Sequence, residues 1–547
     1  MIDFLLDNSK VKKAVNQNVV NSFMNNQLER PLPLSTFSNT AAPRNSEVDF
    51  YRPENWKVEE YISWNSLTNK KFFNRLLPCA THSFIKRLPP VEEVQKLFLR
   101  GNNIMIPSES TTVLFMSFAQ WFTDGFFISD VKDIRKCEST HQVDLCQIYG
   151  LDNKTTNILR KKKDGLLKSQ FITVTSKNKT LQELPPYLFT YDKDLNKCFI
   201  KKEFKELPYL HRLNDFYKRH WKDQNRKSKM YATGIFRGNM TVGHSTLNTL
   251  FLRSHNKLAR LLKEKHPLWD DDRLFETARN INLRIFLTIV IEDYIEHLDN
   301  TNLELELNNR FAENEHWYRE NWVSIEFNLL YRWHSMIPDT IKVNDQTLET
   351  SSDFHLNNKL IENNGIASIL EDLSFQKSGK ITSLWNSPNF MKHVEGLSIN
   401  TGRALRLKSY NDYREAFRLK RIESFEDFSN NTKVQKALKG LYNCVDDVEF
   451  YVGIFADNKL RDSPTVSKLR TAMSDGSTPI LGELMNKMVA YEAFSQILTN
   501  PLLSRNLNEE LAFTKEGLRL IKKIRNFTDL LKWVEGKRYN VSFNGLW

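Results

Sequence analysis

Glu326-Phe327-Asn328-Leu329-Leu330-Tyr331-Arg332-Trp333-His334-Ser335-Met336-Ile337-Pro338-Asp339 joins an apolar period to a phenol and an imidazole within a few residues. Trp322, Ile325, Leu329 and Trp333 recur at helical spacing, which predicts a helix from about Trp322 to Ser335 that Pro338 ends. On such a helix Tyr331 and His334 stand about 60° apart around the axis, so both rings project into one region. A histidine in that place suits either a hydrogen-bonded structural role or a ligand role.

Working upstream, Leu247, Leu250, Phe251, Leu258, Leu261 and Leu262 predict a helix from about Ser245 to Glu264, stopped by His266-Pro267. Asp270-Asp271-Asp272 then places carboxylates at the start of another helix, where they meet free N–H groups and the positive dipole end. An apolar pattern continues from Leu274 to Leu298. From Glu92 onward helical periods dominate with no internal repeat, so the fold class read from the chain is mainly α, a single large helical domain over residues 51–547. Residues 1–50 read as an appendage: a helix from Lys10 to Leu28, then an extended wrap through Pro31 and Pro33. That helix would present Val15, Val19, Val20, Phe23 and Met24 either to the body of the protein or to a membrane surface.

The 547 residues carry 78 Lys+Arg against 66 Asp+Glu, a net charge of +12, with 40% hydrophobic residues. This is a globular composition that excludes fibrous and disordered classes. Basic clusters at Lys161-Lys162-Lys163 and from Lys218 to Lys229 sit in no nucleic-acid motif, so no nucleic-acid partner is expected. Five widely spaced cysteines, with no C-x-x-C pair, argue for reduced thiols and against a disulfide framework or zinc site. Neither a secretory signal nor an apolar run long enough to span a bilayer is read, and the expected location is cytoplasmic, with peripheral membrane contact left open.

Four stretches carry a family resemblance. Leu252-Arg253-Ser254-His255-Asn256, with His266-Pro267-Leu268-Trp269 after it, resembles the L-R-x-H-N segment of the animal-type haem peroxidase superfamily. Tyr331-Arg332-Trp333-His334 is similar to the proximal-histidine segment in its cyclooxygenase form. Phe118-Ala119-Gln120-Trp121-Phe122-Thr123-Asp124-Gly125 resembles the distal helix, and Val143-Asp144-Leu145-Cys146-Gln147-Ile148-Tyr149-Gly150 the V-D-L-x-x-I-Y-G element. Leu405 to Arg414, Val448 to Gly453 and Gly482-Glu483-Leu484-Met485 resemble later elements in the same order. The chain thus looks like a cyclooxygenase-like fatty-acid dioxygenase of the bacterial type, over about Trp64 to Pro501.

The resemblance implies haem b as cofactor, with His334 as the proximal iron ligand and Tyr451 supporting it. Tyr331 would be the radical residue that takes hydrogen from an unsaturated fatty acid so that O₂ can add, giving a hydroperoxide or endoperoxide. Gln120 is retained on the distal side, but Asp124 stands where the family has a proton-shuttling histidine. An aspartic acid could shuttle a proton only if desolvation raised its pKa toward neutrality. Arg237 matches the distal arginine of the halide-oxidising branch, or is a surface residue. Arg253, His255 and Asn256 read as a polar network that holds the fold.

For the substrate carboxylate, the family's anchoring tyrosine is replaced by Asn364, with Arg30 a loose alternative. Ala493 or Ser495 falls at the channel-serine position. The cysteine-rich module of animal cyclooxygenases is not recognisable, and a homodimer is what the resemblance suggests. Two rival readings stand beside this one: a peroxidase acting on small donors through Asp124 and Arg237, and a weakly active haem-binding protein.

Overall fold

The computed structural model describes residues 9–27, 71–130, 133–175, 180–217, 223–298, 307, 312–318, 322–458 and 480–545. Helices used below are α1 (Ser9–Asn25), α2 (Val113–Thr123), α3 (Val242–Lys265), α4 (Asp271–Ile289), α5 (Ile325–Leu330), α6 (Lys392–Ala404), α7 (Phe450–Ala456) and α8 (Glu483–Leu498). The described strands form only short antiparallel pairs, such as Pro107–Thr112 with Lys377–Gly379 and Thr340–Val343 with Gln346–Glu349. The mainly α reading therefore stands.

Helix α3 forms the centre. Its first eleven residues, Val242 through Leu252, are all buried, so it is apolar or hydrogen-bonded on every side there. It packs on α2 and α4, with Trp121 stacked on Phe251 at 5.0 Å and donating from Nε1 to Asn248 Oδ1 at 2.8 Å. Helix α4 begins as its aspartates predict: Asp270 caps the amide of Arg273 at 2.8 Å, and Asp271 and Asp272 both bind Arg160. It does not run unbroken to Leu298. At Val290–Ile295 the backbone widens into a π-helical turn before a last α turn at Glu296–Leu298, a distortion that re-aims side chains and is common at functional sites.

The family-like motifs meet in space. His255 joins Tyr149 Oη (2.9 Å) and the carbonyl of Gly165 (2.9 Å), while Asn256 holds Leu167 and Glu183. Arg253 donates to the Glu183 carbonyl and to Gln182. Burial lowers His255 to about 3, so its imidazole is neutral and works as a pure hydrogen-bond bridge. Gly150, at φ +91°, lies where a Cβ would fall 2.4 Å from Thr155, which fixes glycine at the end of that element. The two late elements also pack together, with a Cβ on Gly453 falling 2.1 Å from the Tyr410 ring.

Helix α1 packs on the body: Val20 and Met24 are buried, and Asn21 and Asn25 donate to the two oxygens of Glu315 at 2.6 and 2.9 Å. Val19, read as part of the apolar face, is 37% exposed, and Phe23 is half-buried. No helix among the described residues is long and apolar enough to cross a membrane. All five cysteines are free thiols.

Candidate active site

The helix expected over Trp322–Ser335 is a correction. Ser324 caps it, accepting from Phe327 N at 3.0 Å, so α5 starts at Ile325. It ends at Leu330, because Tyr331 (φ −94°, ψ 16°) and Trp333 (φ −82°, ψ 51°) leave helical geometry and His334 opens a separate 3₁₀ turn. The 60° argument fails with it. The turn sends the two rings into different surroundings.

Tyr331 lies in an aromatic nest: Trp333 at 4.5 Å, Phe327 at 5.0 Å and Phe127 at 5.9 Å between ring centroids. Its hydroxyl faces that of Tyr294 from the π-helical turn, without the alignment of a strict hydrogen bond. Burial pushes the Tyr331 phenol well above its usual range, with Tyr294 opposing and the charge of Glu492 adding, so the hydroxyl keeps its proton. Glu492 sits on α8 and accepts from Ser324 Oγ at 2.7 Å. Ser495, one turn further, shares its side of α8, whereas Ala493 is about 100° around. Both Ala493 and Ser495 are buried, and the Ser495 hydroxyl donates to the Tyr491 carbonyl at 2.7 Å.

His334 is half-buried beside a carboxylate that sequence reading missed. Glu395 of α6 brings Oε1 to 3.1 Å from His334 Nδ1, an ion-pair distance that stops short of an aligned hydrogen bond. Tyr451 of α7, expected to support this histidine, donates to Glu395 Oε2 at 2.9 Å. The carboxylate thus lies between the two rings. Burial, and then the Glu395 charge, raise the Tyr451 phenol well above its usual range, so it acts as a donor.

On the other side, α2 presents Gln120, half-buried, and Asp124 at its C-terminal cap. Thr123 turns its hydroxyl back onto the Ala119 carbonyl (2.9 Å), and Gly125 passes so close to Gln147 that a Cβ would fall 2.5 Å from its amide. Both hold the end of α2 in place. Asp124 is clamped: Arg237 Nη1 donates to Oδ1 at 2.6 Å and His244 Nε2 meets Oδ2 at 2.9 Å. His244 stands in the first turn of α3, its Nδ1 at 2.9 Å from the capping hydroxyl of Thr241. Burial raises Asp124, but the charge of Arg237 and the hydrogen bond from His244 outweigh it, and the net pKa lies below the ordinary value. The condition for a shuttling acid is not met, and Asp124 is held as an anion.

Arg237 is thus partly buried and paired with Asp124. Arg332, in the same motif as the tyrosine and histidine, donates to Asn328 at 2.7 Å and lies within electrostatic reach of Asp124, Arg237, Tyr451 and Glu395. Asn364 is spent locally: its Oδ1 accepts from Asn344 at 2.6 Å and its Nδ2 donates to the Leu360 carbonyl at 2.9 Å. Its contacts do not join it to Tyr331. Arg30 lies outside the described residues.

The donor set fits a haem. The half-buried His334 imidazole is backed at Nδ1, which would leave Nε2 for iron, and the guanidinium groups of Arg237 and Arg332 suit a macrocycle that carries carboxylates. Among the missed residues, Glu395 had a legible signal: a carboxylate on the buried face of α6 together with Ser398 and Ile399. His244 and Tyr294 had none, being a helix-start polar residue and a core aromatic.

Comparison with known proteins agrees. Residues 135–525 match the family model for animal haem peroxidase. The chain is 30% identical over 481 residues to prostaglandin G/H synthase 2 of Oryctolagus cuniculus, covering 84% of this chain and 70% of that protein. It is likewise 30% identical over 465 residues to prostaglandin G/H synthase 1 of Rattus norvegicus, covering 82% and 68%. Among solved structures it superposes on the fatty acid alpha-dioxygenase of Oryza sativa with a TM-score of 0.66 at 16% identity, covering 98% of this chain and 92% of that one. Peroxidase A of Dictyostelium discoideum gives a TM-score of 0.63 at 17% identity, covering 88% and 97%. The chain belongs to the animal haem peroxidase family, and its relatives are haem-binding oxidoreductases.

Proposed function

We propose that this protein is a haem b dependent dioxygenase that adds O₂ to an unsaturated fatty acid, with Tyr331 as the hydrogen-abstracting residue and residues 51–547 as the catalytic unit. The observation that carries it is the placement of Tyr331, a protonated phenol walled by Phe127, Phe327 and Trp333 and separated by one short turn from His334. Prostaglandin synthases and a fatty acid dioxygenase among the relatives support the substrate class.

Haem held by His334 would supply the oxidising equivalent, and Tyr331 is the group placed to be oxidised. The remaining steps belong to this chain. Tyr331 loses its phenolic hydrogen, and the resulting oxygen-centred radical takes a hydrogen atom from a substrate C–H bond. O₂ adds to the carbon radical, and the peroxyl radical takes a hydrogen atom back from Tyr331, so that one fatty acid and one O₂ give one hydroperoxide. Tyr294, opposite the phenol, orients it. The aromatic wall excludes water, which a radical intermediate needs.

A second reading, a peroxidase acting on small donors, is favoured by the Asp124–Arg237–His244 cluster, which offers a guanidinium to a bound peroxide. Incubation of the haem-loaded protein with C18 and C20 unsaturated acids under ¹⁸O₂ separates the two. The dioxygenase gives product with both oxygen atoms from one O₂. Donor-dependent consumption of hydrogen peroxide that survives Tyr331→Phe, with no labelled product, would establish the peroxidase instead.

A further inference from the structure

Glu395 has the surroundings of a carboxylate fixed in one place for one task. It is 1% exposed on α6 and accepts two hydroxyl hydrogen bonds, from Ser387 Oγ to Oε1 at 2.6 Å and from Tyr451 Oη to Oε2 at 2.9 Å. Each donor is itself anchored. Ser387 is tied by its backbone to both sides of one segment, its N–H to the Phe98 carbonyl at 2.9 Å and its carbonyl to Arg100 N at 2.7 Å. Tyr451 is stacked on Phe98 at 5.1 Å and set edge-on to Phe455 at 5.3 Å. With both donors immobile, the lone pairs left on Oε1 face the His334 imidazole, whose Nδ1 lies 3.1 Å away and has no other partner. A buried carboxylate is costly unless it is used, and two neutral donors do not neutralise it.

We propose that Glu395 is the positioning residue for His334. Its carboxylate accepts from Nδ1–H, which fixes the tautomer that leaves Nε2 for iron and raises the electron density of the ring. This rests on the reading of His334 as the haem ligand. A carboxylate behind a ligating histidine makes that histidine a stronger donor, and a stronger donor favours ferric over ferrous iron. Ser387 and Tyr451 act against this by drawing charge from the same carboxylate. The account therefore fixes the sign of three substitutions, which a merely structural role would not.

The test uses haem-loaded full-length protein and reads the iron–histidine stretching band of the ferrous form by resonance Raman together with the ferric/ferrous midpoint potential. Glu395→Gln is expected to lower the band frequency and to shift the ferric/ferrous equilibrium about tenfold toward ferrous, ~59 mV for one electron. Tyr451→Phe and Ser387→Ala, each removing one donor from the carboxylate, are expected to move both readings the opposite way. An unchanged band and potential in Glu395→Gln, or a shift of all three variants in one direction, overturns the proposal. If Glu395→Gln does not fold, the other two variants decide by their sign. The ligand assignment is tested apart from this by His334→Ala, in which survival of the band would refute it without reference to Glu395.

Discussion

The two carboxylates that flank the site are used in opposite ways. Asp124 is neutralised by a cation and an imidazole, Arg237 on one oxygen and His244 on the other, and its pKa is driven down. Glu395 accepts from two hydroxyls and faces an imidazole, with the Arg332 guanidinium acting on it through its charge. An acid locked as an anion in a direct ion pair is a scaffold, whereas an acceptor whose hydrogen bonds come from neutral hydroxyls keeps charge available to the group beside it. The difference teaches that Asp124 is built as a scaffold, and, on the proposed reading of His334 as the haem ligand, that electrostatic control lies with Glu395.

The largest effect tests the scaffold side. Asp124→Ala leaves the buried His244 and the partly buried Arg237 without their anion, and should cost about 2–4 kcal/mol of stability at pH 7, read as a lowered denaturation midpoint. Because the folded pKa is lowered, this contribution is complete above the unfolded value and is lost only as pH falls through the folded one, so the gap between parent and variant should close only below about pH 4. A loss under about 0.5 kcal/mol would put Asp124 on the same footing as a surface ion pair.

Next comes a third carboxylate, on the motif helix itself. Glu326 accepts from Tyr413 Oη at 2.8 Å and from Leu76 N at 3.1 Å, and burial raises it to about 7. Here the sign is reversed. The folded state holds its proton more tightly than the unfolded chain, so stability falls as pH rises from about 4.3 to about 7 and is flat above, by roughly 4 kcal/mol. Glu326→Gln should remove that slope from the difference curve, and identical pH dependence in parent and variant would contradict it. The smallest effect is at Gly125→Ala, where the new methyl meets Gln147 at the end of α2. It should cost about 1–2 kcal/mol in thermal or chemical unfolding and weaken peroxide turnover more than haem binding; an equal loss of both would mean that the end of α2 serves the whole site.

What the sequence made legible follows from how local each feature is. The helical period of α3 with its stop at His266 and the capping aspartates of α4 are set by residues near one another in the chain and are readable there, whereas the partners of His255, Tyr149 and Gly165, lie about a hundred residues away. The early end of α5 was not, because Tyr331 to Trp333 are drawn out of the helix by their aromatic neighbours rather than by any local breaker; Pro338 comes too late to do it. Gln120, Asp124, Tyr331, His334 and Tyr451 are singled out by motif order alone. His244 and Tyr294 come from other helices, and only contact between distant segments picks them out, while Glu395 has the one local sign of a carboxylate on a buried helix face. A substitution from histidine to Asp124 suggested a weakened proton shuttle; the clamp that turns it into a scaffold needed the third dimension.

The most direct measurement is oxygen uptake by the haem-loaded protein with a panel of C18 and C20 unsaturated fatty acids and a trace of hydroperoxide, run beside Tyr331→Phe at matched haem content. The account predicts uptake by the parent with at least one of these acids and none by the variant. Undiminished uptake in Tyr331→Phe, or no uptake by a parent protein whose haem is held by His334, would contradict it.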